Sequence, residues 1–231
     1  MKKELIYIIG VVWLITLSAC QSTPDKPYNY RPYLKHMPAS ILVLPPVNQS
    51  MAVMAPYKYL SIISRPIAEK GYYVFPVAVI DALMKENGVT SPEDMHQISL
   101  AKINEIIHPD AVLYVTIKEW GTKYKVIDSQ TIIYVYAKLI DTDTGNQIWQ
   151  NASKVVKSSN DNANNIVEML IAALVNQILS NFFDPTIDVA HVVNRRLYYN
   201  GYNGLLQGKY HPQFEESQKM VYQRMEQKNN H

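Results

Sequence analysis

Two β-rich runs that fold back on each other around one tight turn constrain this chain more than any other feature. Thr131 to Ile140 alternates apolar and polar residues, and Gln147 to Val156 returns with the same period of two. Such alternation marks a strand with one face buried. Between them lies Asp141-Thr142-Asp143-Thr144-Gly145-Asn146. Its glycine accepts positive φ, and its Asp and Asn side chains can bond their own backbone. A hairpin is expected there, with Ala111 to Lys118 as a third strand and Tyr124 to Ile127 as an added edge strand. A sheet of this kind needs a second layer over its apolar face.

The rest of the chain supplies that layer. Ile41-Leu42-Val43-Leu44 is a continuous apolar run stopped by Pro45-Pro46, the mark of a fully buried strand, and Tyr72-Tyr73-Val74-Phe75 is closed by Pro76 in the same way. Lys58 to Lys70 has helical spacing through Leu60, Ile63 and Ile67, with Gly71 as its stop. A second helix passes through Val79, Leu83 and Met84 and ends at Gly88. A third opens on Ser91 as N-cap, with Pro92 in the first turn, and is expected to run to about Ile107. Val167, Ile171, Leu174, Ile178 and Phe182 form one face of a helix over 162–183, expected to lie on the sheet. After Pro185 the pattern changes: 195–207 is tyrosine-rich and glycine-punctuated, and Phe214 to Gln227 is a polar amphipathic helix. The fold class is therefore α/β (α+β), a sheet with flanking helices plus a short helical C-terminal appendage.

The chain has one cysteine, Cys20, and its surroundings give it a use. Lys2 and Lys3 precede a greasy run from Leu5 to Leu17, the layout of a secretory signal peptide. Thirteen helical residues rise only about 20 Å, short of a hydrocarbon core of roughly 30 Å. Leu17-Ser18-Ala19-Cys20 resembles the lipobox of bacterial lipoproteins. That resemblance implies cleavage before Cys20 and acylation of its sulfur and new amine, and two or more acyl chains hold a protein at a membrane. Gln21, where an aspartate tends to retain lipoproteins at the inner membrane, favours the outer one. The expected organisation is a signal peptide over 1–19, a lipidated cysteine and proline-rich tether over 20–40, an α/β domain over 41–184, and a tyrosine-rich helical segment over 185–231.

Composition narrows the function classes. A net charge of +2, with no clustered basic stripe, argues against a nucleic-acid partner. The six histidines show no ligand spacing, so no metal is expected, and no cofactor motif is present. His108-Pro109-Asp110 matches the J-domain tripeptide but sits between a helix and a strand, where it reads as a turn. Asp141 and Asp143 read as turn residues ahead of Gly145. No catalytic set emerges, and the protein is expected not to be an enzyme. Seventeen tyrosines are the compositional oddity. Arg195, Arg196, Tyr198, Tyr199 and Tyr202 gather residue types enriched at interface centres and form a candidate docking surface, with packing against the sheet as the competing role.

The order of elements, with Leu139-Ile140-Asp141 and Thr144-Gly145-Asn146-Gln147-Ile148-Trp149 at the hairpin, resembles the TolB amino-terminal domain-like fold of envelope lipoproteins. Ile41 to Pro46, Gly71 to Pro76, His108 to Tyr114, the Thr144-Gly145 hairpin and Leu205 to Pro212 resemble a family of outer-membrane lipoproteins first noted as a meningococcal surface antigen. The chain departs from that family at Lys209, where members usually carry proline. The resemblance implies an outer-membrane, lipid-anchored protein, its domain facing the periplasm or the cell surface. The anchor, the compact fold, the lack of a catalytic set and the tyrosine-rich surfaces point to a non-catalytic accessory subunit of a secretion or assembly complex, binding an envelope protein or itself. Regulation of a peptidoglycan synthase is the alternative, and hydrolase activity a remote one.

Overall fold

The computed structural model describes residues 28–124, 129–158 and 184–229. The elements in order are α1 (Arg31–His36), β1 (Ser40–Val43), β2 (Val47–Asn48), α2 (Ala55–Glu69), β3 (Tyr73–Val74), α3 (Val77–Glu86), α4 (Pro92–Met95), α5 (Leu100–Ile107), β4 (Ala111–Tyr124), β5 (Ser129–Asp141), β6 (Gln147–Ser158), α6 (Pro185–Tyr198) and α7 (Phe214–Asn229). The fold is mixed α/β, as expected. One six-stranded sheet has the order β3-β1-β4-β5-β6, with β2 paired beside β1 on β4. β1 runs parallel to β3 and β4, and β4, β5 and β6 form an antiparallel meander.

Each face of the sheet has its own layer. α1, α2 and α6 cover a core of Ile41, Val43, Ile63, Leu113, Trp149 and Val193. On the other face α3, α4 and α5 close over Leu42, Leu44, Met84, Met95 and Val112. Consecutive residues of β1 thus feed opposite cores, which is why Ile41 to Leu44 reads as an unbroken apolar run.

Four details differ from the expectations. The helix expected to run from Ser91 to about Ile107 is two, because a second serine offers a second cap. Ser91 Oγ accepts from the Asp94 N–H at 3.1 Å and Ser99 Oγ from the Lys102 N–H at 3.3 Å. β4 continues unbroken to Tyr124 across an irregularity between Ile117 and Glu119, so no separate edge strand starts at Tyr124, and 125–128 lie outside the described residues. The expected tether is packed from Tyr28 onward, with Tyr33 and Leu34 of α1 buried. The segment after Pro185 ends in a helix, as expected, but its first part packs into the core. α6, capped by Asp184 through the Thr186 N–H at 3.0 Å, buries Val189, Ala190, Val193 and Leu197 in the main core. The helix expected over 162–183 lies outside the described residues.

Tyrosine hydroxyls fasten the chain's two flanking segments. Tyr30 donates to the Gly204 carbonyl at 2.6 Å and Tyr72 to the Leu206 carbonyl at 2.7 Å, while Tyr33 bonds Tyr72. Each ring is buried as an apolar body, and each hydroxyl satisfies a polar group in or beside the core. Glycine makes a closer approach possible. A Cβ on Gly71, whose φ is +85°, would lie 2.3 Å from the His211 nitrogen. Gly208 N–H donates to the Lys70 carbonyl at 2.7 Å and Tyr210 N–H to the Gly71 carbonyl at 3.0 Å. The Gly71–Pro76 and Leu205–Pro212 stretches, distant in sequence, are thus one packed unit.

Candidate functional site

The carboxylates that stand out in the sequence are occupied by structural work. His108 closes α5 in the left-handed conformation, φ +58°. Asp110 then accepts from the N–H groups of Ala39 at 2.8 Å and Ser40 at 2.9 Å, tying the start of β1 to β4. Asp141 accepts from the Thr144 N–H at 2.9 Å and hydroxyl at 2.6 Å, and pairs with His36 Nδ1 at 3.2 Å. Asp143 accepts from Asn104 Nδ2 at 3.1 Å. These are turn-fixing contacts.

The candidate docking residues do not stay together. Tyr198 is fully buried and stacks on Trp149 with ring centroids 5.9 Å apart. Tyr199 lies on the surface, its hydroxyl donating to Glu69 Oε2 at 2.5 Å and its ring 5.0 Å from Lys70 Nζ. Partial burial first, then the Glu69 carboxylate, push that phenol up to about 12. Arg195 and Arg196 in the last turn of α6 are exposed, as is Tyr202 at 69%. The lipobox residues Leu17, Ser18, Ala19 and Cys20 lie outside the described residues.

A crevice that the sequence did not single out opens beyond the carboxyl end of β1. It holds about 350 Å³ between Pro45 and Pro46, the first turns of α2 (Pro56, Tyr57, Leu60) and the acid-bearing rim of Asp81 and Glu93. Clefts at this end of parallel strands are frequent binding sites in open α/β sheets, and the volume is at the small end of ligand pockets. Lys85 spans the rim: Nζ lies 2.6 Å from Asp81 Oδ2 and 5.4 Å from the centroid of the Tyr57 ring. Glu93 makes no ion pair among the described residues.

Beside the crevice the β2–α2 loop pushes apolar side chains into water. Met51 is 99% exposed and Val53 82%, with Met54 and Tyr57 more than half exposed. Asn48 holds the loop in that shape: its Oδ1 accepts from the Ser50 N–H at 3.0 Å and hydroxyl at 2.7 Å, and its Nδ2 donates to the Ala52 carbonyl at 2.9 Å. A polar side chain thus fixes an apolar tip outward. The signal was present in Met51-Ala52-Val53-Met54, but an apolar tetrapeptide without period reads equally well as buried chain.

Among the described residues no helix is long and apolar enough to cross a membrane. Lipoprotein character comes from kinship. The family described as "Putative lipoprotein GNA1162-like" matches residues 28–210, and the chain belongs to that family. The "Putative lipoprotein NMB1124/NMB1162" of Neisseria meningitidis serogroup B (strain ATCC BAA-335 / MC58) is 35% identical over 216 residues, covering 91% of this chain and 97% of the relative. The crystal structure of lipoprotein GNA1162 from Neisseria meningitidis superposes with a TM-score of 0.52 at 40% identity, over 62% of this chain and 99% of that one. The LpoB C-terminal domain from Escherichia coli matches at 16% identity and a TM-score of 0.39, over 52% of this chain and 85% of that one.

Proposed function

We propose that this lipoprotein is anchored in the outer membrane through acyl chains on Cys20, with its domain facing the periplasm. There it acts by binding another envelope protein, as an accessory subunit of a secretion or assembly complex, and not by catalysis. The observation that carries the reading is the exposed tip of Met51, Val53, Met54 and Tyr57. Apolar side chains gathered at one exposed place mark sites of protein contact, and methionines suit a surface that adapts to its partner. Asp110, Asp141 and Asp143 support it from the other side, since each is already engaged with backbone, side-chain or ion-pair partners.

The test is capture of partners from detergent-solubilised envelopes by the full chain, beside a Met51→Asp/Met54→Asp variant. Both substituted positions are exposed, so the variant should melt like the wild type. A stoichiometric partner retained by the wild type and lost by the variant is the expected result. A channel-type partner fits the assembly role, and a peptidoglycan synthase would move the assignment to enzyme regulation. Mass spectrometry of the mature protein checks the anchor: an unacylated Cys20 would end the lipoprotein mechanism.

A further inference from the structure

We propose that the basic, tyrosine-rich end of the domain, where α2 and α6 finish, rests on the anionic headgroups of the bilayer and turns the Met51 tip away from it. The inference rests on the anchoring through Cys20 proposed above. It adds a second, electrostatic membrane contact that sets the orientation of the domain.

α2 and α6 run side by side in the same direction. Lys58 Nζ lies 2.6 Å from Asp184 Oδ2 at their starts, Asn194 Nδ2 donates to the Ile62 carbonyl at 3.4 Å, and the Tyr199 hydroxyl reaches the Pro66 carbonyl at 3.4 Å near their ends. Both helices therefore begin at the crevice, beside the Met51 tip, and finish together about 20 Å away, as the rise of the 15-residue α2 requires.

The chain enters the fold at the far end. Tyr30 donates to the Gly204 carbonyl at 2.6 Å and its ring lies 4.7 Å from that of Tyr28, so the first fastened residues sit beside the loop that follows α6. A tether of eight steps from Cys20, at most about 28 Å, is long enough to let either end of the helix pair touch the headgroups. Surface chemistry has to choose between them.

The end beside Tyr30 is basic. From Arg195 to Glu226 the sequence carries five basic residues and three acidic ones, none of them in an ion pair among the described residues. Arg65 and Glu69 cancel each other at the end of α2, and Lys70 adds one further charge. Arg224 Nη1 lies 3.5 Å from the Gly201 carbonyl, which brings α7 to the same loop. Of the carboxylates at this end of the sheet, Asp141 pairs with His36, and Asp143 is drawn by Asn104 toward α5 on the opposite face. The same end exposes aromatic rings: Tyr202 and Tyr210 by about two-thirds, Tyr199 and Tyr222 by more than two-fifths. Tyrosine, an apolar ring with a polar tip, settles at membrane interfaces, and lysine and arginine are drawn to anionic lipid.

The crevice end has the opposite character. Lys58 and Lys85 are neutralised by Asp184 and Asp81, which leaves Glu93 and the exposed Asp188 with no ion-pair partner among the described residues. Phosphate headgroups repel that end and attract the other. An acyl anchor decides where the chain is held, and this asymmetry decides how it is turned.

The experiment places a fluorescent thiol label at Gln223→Cys or at Met51→Cys, both exposed, in the acylated full chain, whose own cysteine sulfur carries lipid. The labelled proteins are reconstituted into vesicles of phosphatidylcholine alone or mixed with phosphatidylglycerol, each holding a trace of lipid with a nitroxide on its headgroup. With phosphatidylglycerol present, the label at 223 should be quenched at least twofold more than the label at 51. High salt or omission of phosphatidylglycerol should shrink that difference, because both remove the attraction. Arg195→Glu/Arg196→Glu should shrink it too, with an unchanged melting curve, and Lys219→Glu, on the exposed face of α7, repeats the test should the double variant melt early. Equal quenching at the two positions, or stronger quenching at 51, overturns the proposal. So does a difference that ignores lipid charge, salt and charge reversal, or an arginine pair needed only to capture an acidic envelope protein. A chain that fails to float even with phosphatidylcholine vesicles ends the anchor and this inference together. One that floats but shows no preferred end sinks this inference alone.

Discussion

Tyr72→Phe should destabilise the protein more than Tyr33→Phe, although the two hydroxyls bond each other. A phenol has one proton to donate, and that of Tyr72 goes to the Leu206 carbonyl at 2.7 Å. The Tyr33 hydroxyl therefore donates to the Tyr72 oxygen. Tyr33→Phe removes one donor from an oxygen that keeps its other bond, a loss of about 1 kcal/mol. Tyr72→Phe strands two groups, the fully buried Tyr33 O–H and the half-buried Leu206 carbonyl, at about 1–3 kcal/mol for each buried group left unpaired. The sum is about 2–6 kcal/mol, toward the lower end because the Leu206 carbonyl is only half-buried. In a domain of this size each kcal/mol moves the melting temperature by roughly 2–4 °C, so calorimetry or urea unfolding resolves the two. The double variant provides the sharper sign. It removes the stranded O–H as well, so it should be more stable than Tyr72→Phe alone, a reversal that only a shared network produces. A double variant less stable than Tyr72→Phe would refute the donor order and the role given to these hydroxyls.

Two further outcomes follow from burial. Tyr198→Ala should cost about 3 kcal/mol or more by emptying a core site against Trp149, while Tyr202→Ala should leave the melting curve within about 0.5 kcal/mol of wild type. Equal effects in calorimetry would show that the segment after Pro185 is misassigned. Burial also raises the phenols of Tyr33, Tyr59, Tyr72 and Tyr198 above their ordinary value of 10. Their stabilisation is complete below pH 10 and declines as pH rises above it, because the unfolded chain ionises first. Tyrosinate absorbance in an alkaline titration should therefore rise together with unfolding, and full ionisation of a still-folded protein would contradict the burial.

Much of the fold was legible because local and tertiary demands coincide. Ile41 to Leu44 feeds two cores and is apolar throughout. The turn at Asp141 to Asn146 needs what its own residues supply, a bonded aspartate and a glycine at φ +70°. Legibility failed where one residue type serves two purposes. The run Arg195 to Tyr202 mixes a buried tyrosine with exposed arginines, and helical spacing shows Tyr198 only once Val189, Val193 and Leu197 are counted with it. Proline density from Pro24 to Pro38 suggested free chain, but a proline at N1 or N2 starts α1 as readily as it breaks a helix. The crevice was invisible for a different reason. Its walls come from three separate stretches, and nothing in Pro45-Pro46, Pro56-Tyr57 or Pro92-Glu93 taken singly announces a cavity.

The fastening of Tyr28 sets a distance scale for the whole molecule. Its hydroxyl accepts from the Gln150 N–H at 2.8 Å and its ring lies 4.7 Å from that of Tyr30, so the chain is already fastened to the sheet at this point. Tyr28 lies eight residue steps from Cys20, and eight steps span at most about 28 Å even when drawn straight. On the proposed anchoring through Cys20, the domain would be moored within about its own diameter of the lipid headgroups, too close to reach across a periplasm. Anything it engages must come to that thin layer. Confinement to a layer also raises the local concentration of whatever shares that layer far above its value free in solution, so a contact too weak to hold in dilute solution becomes populated there.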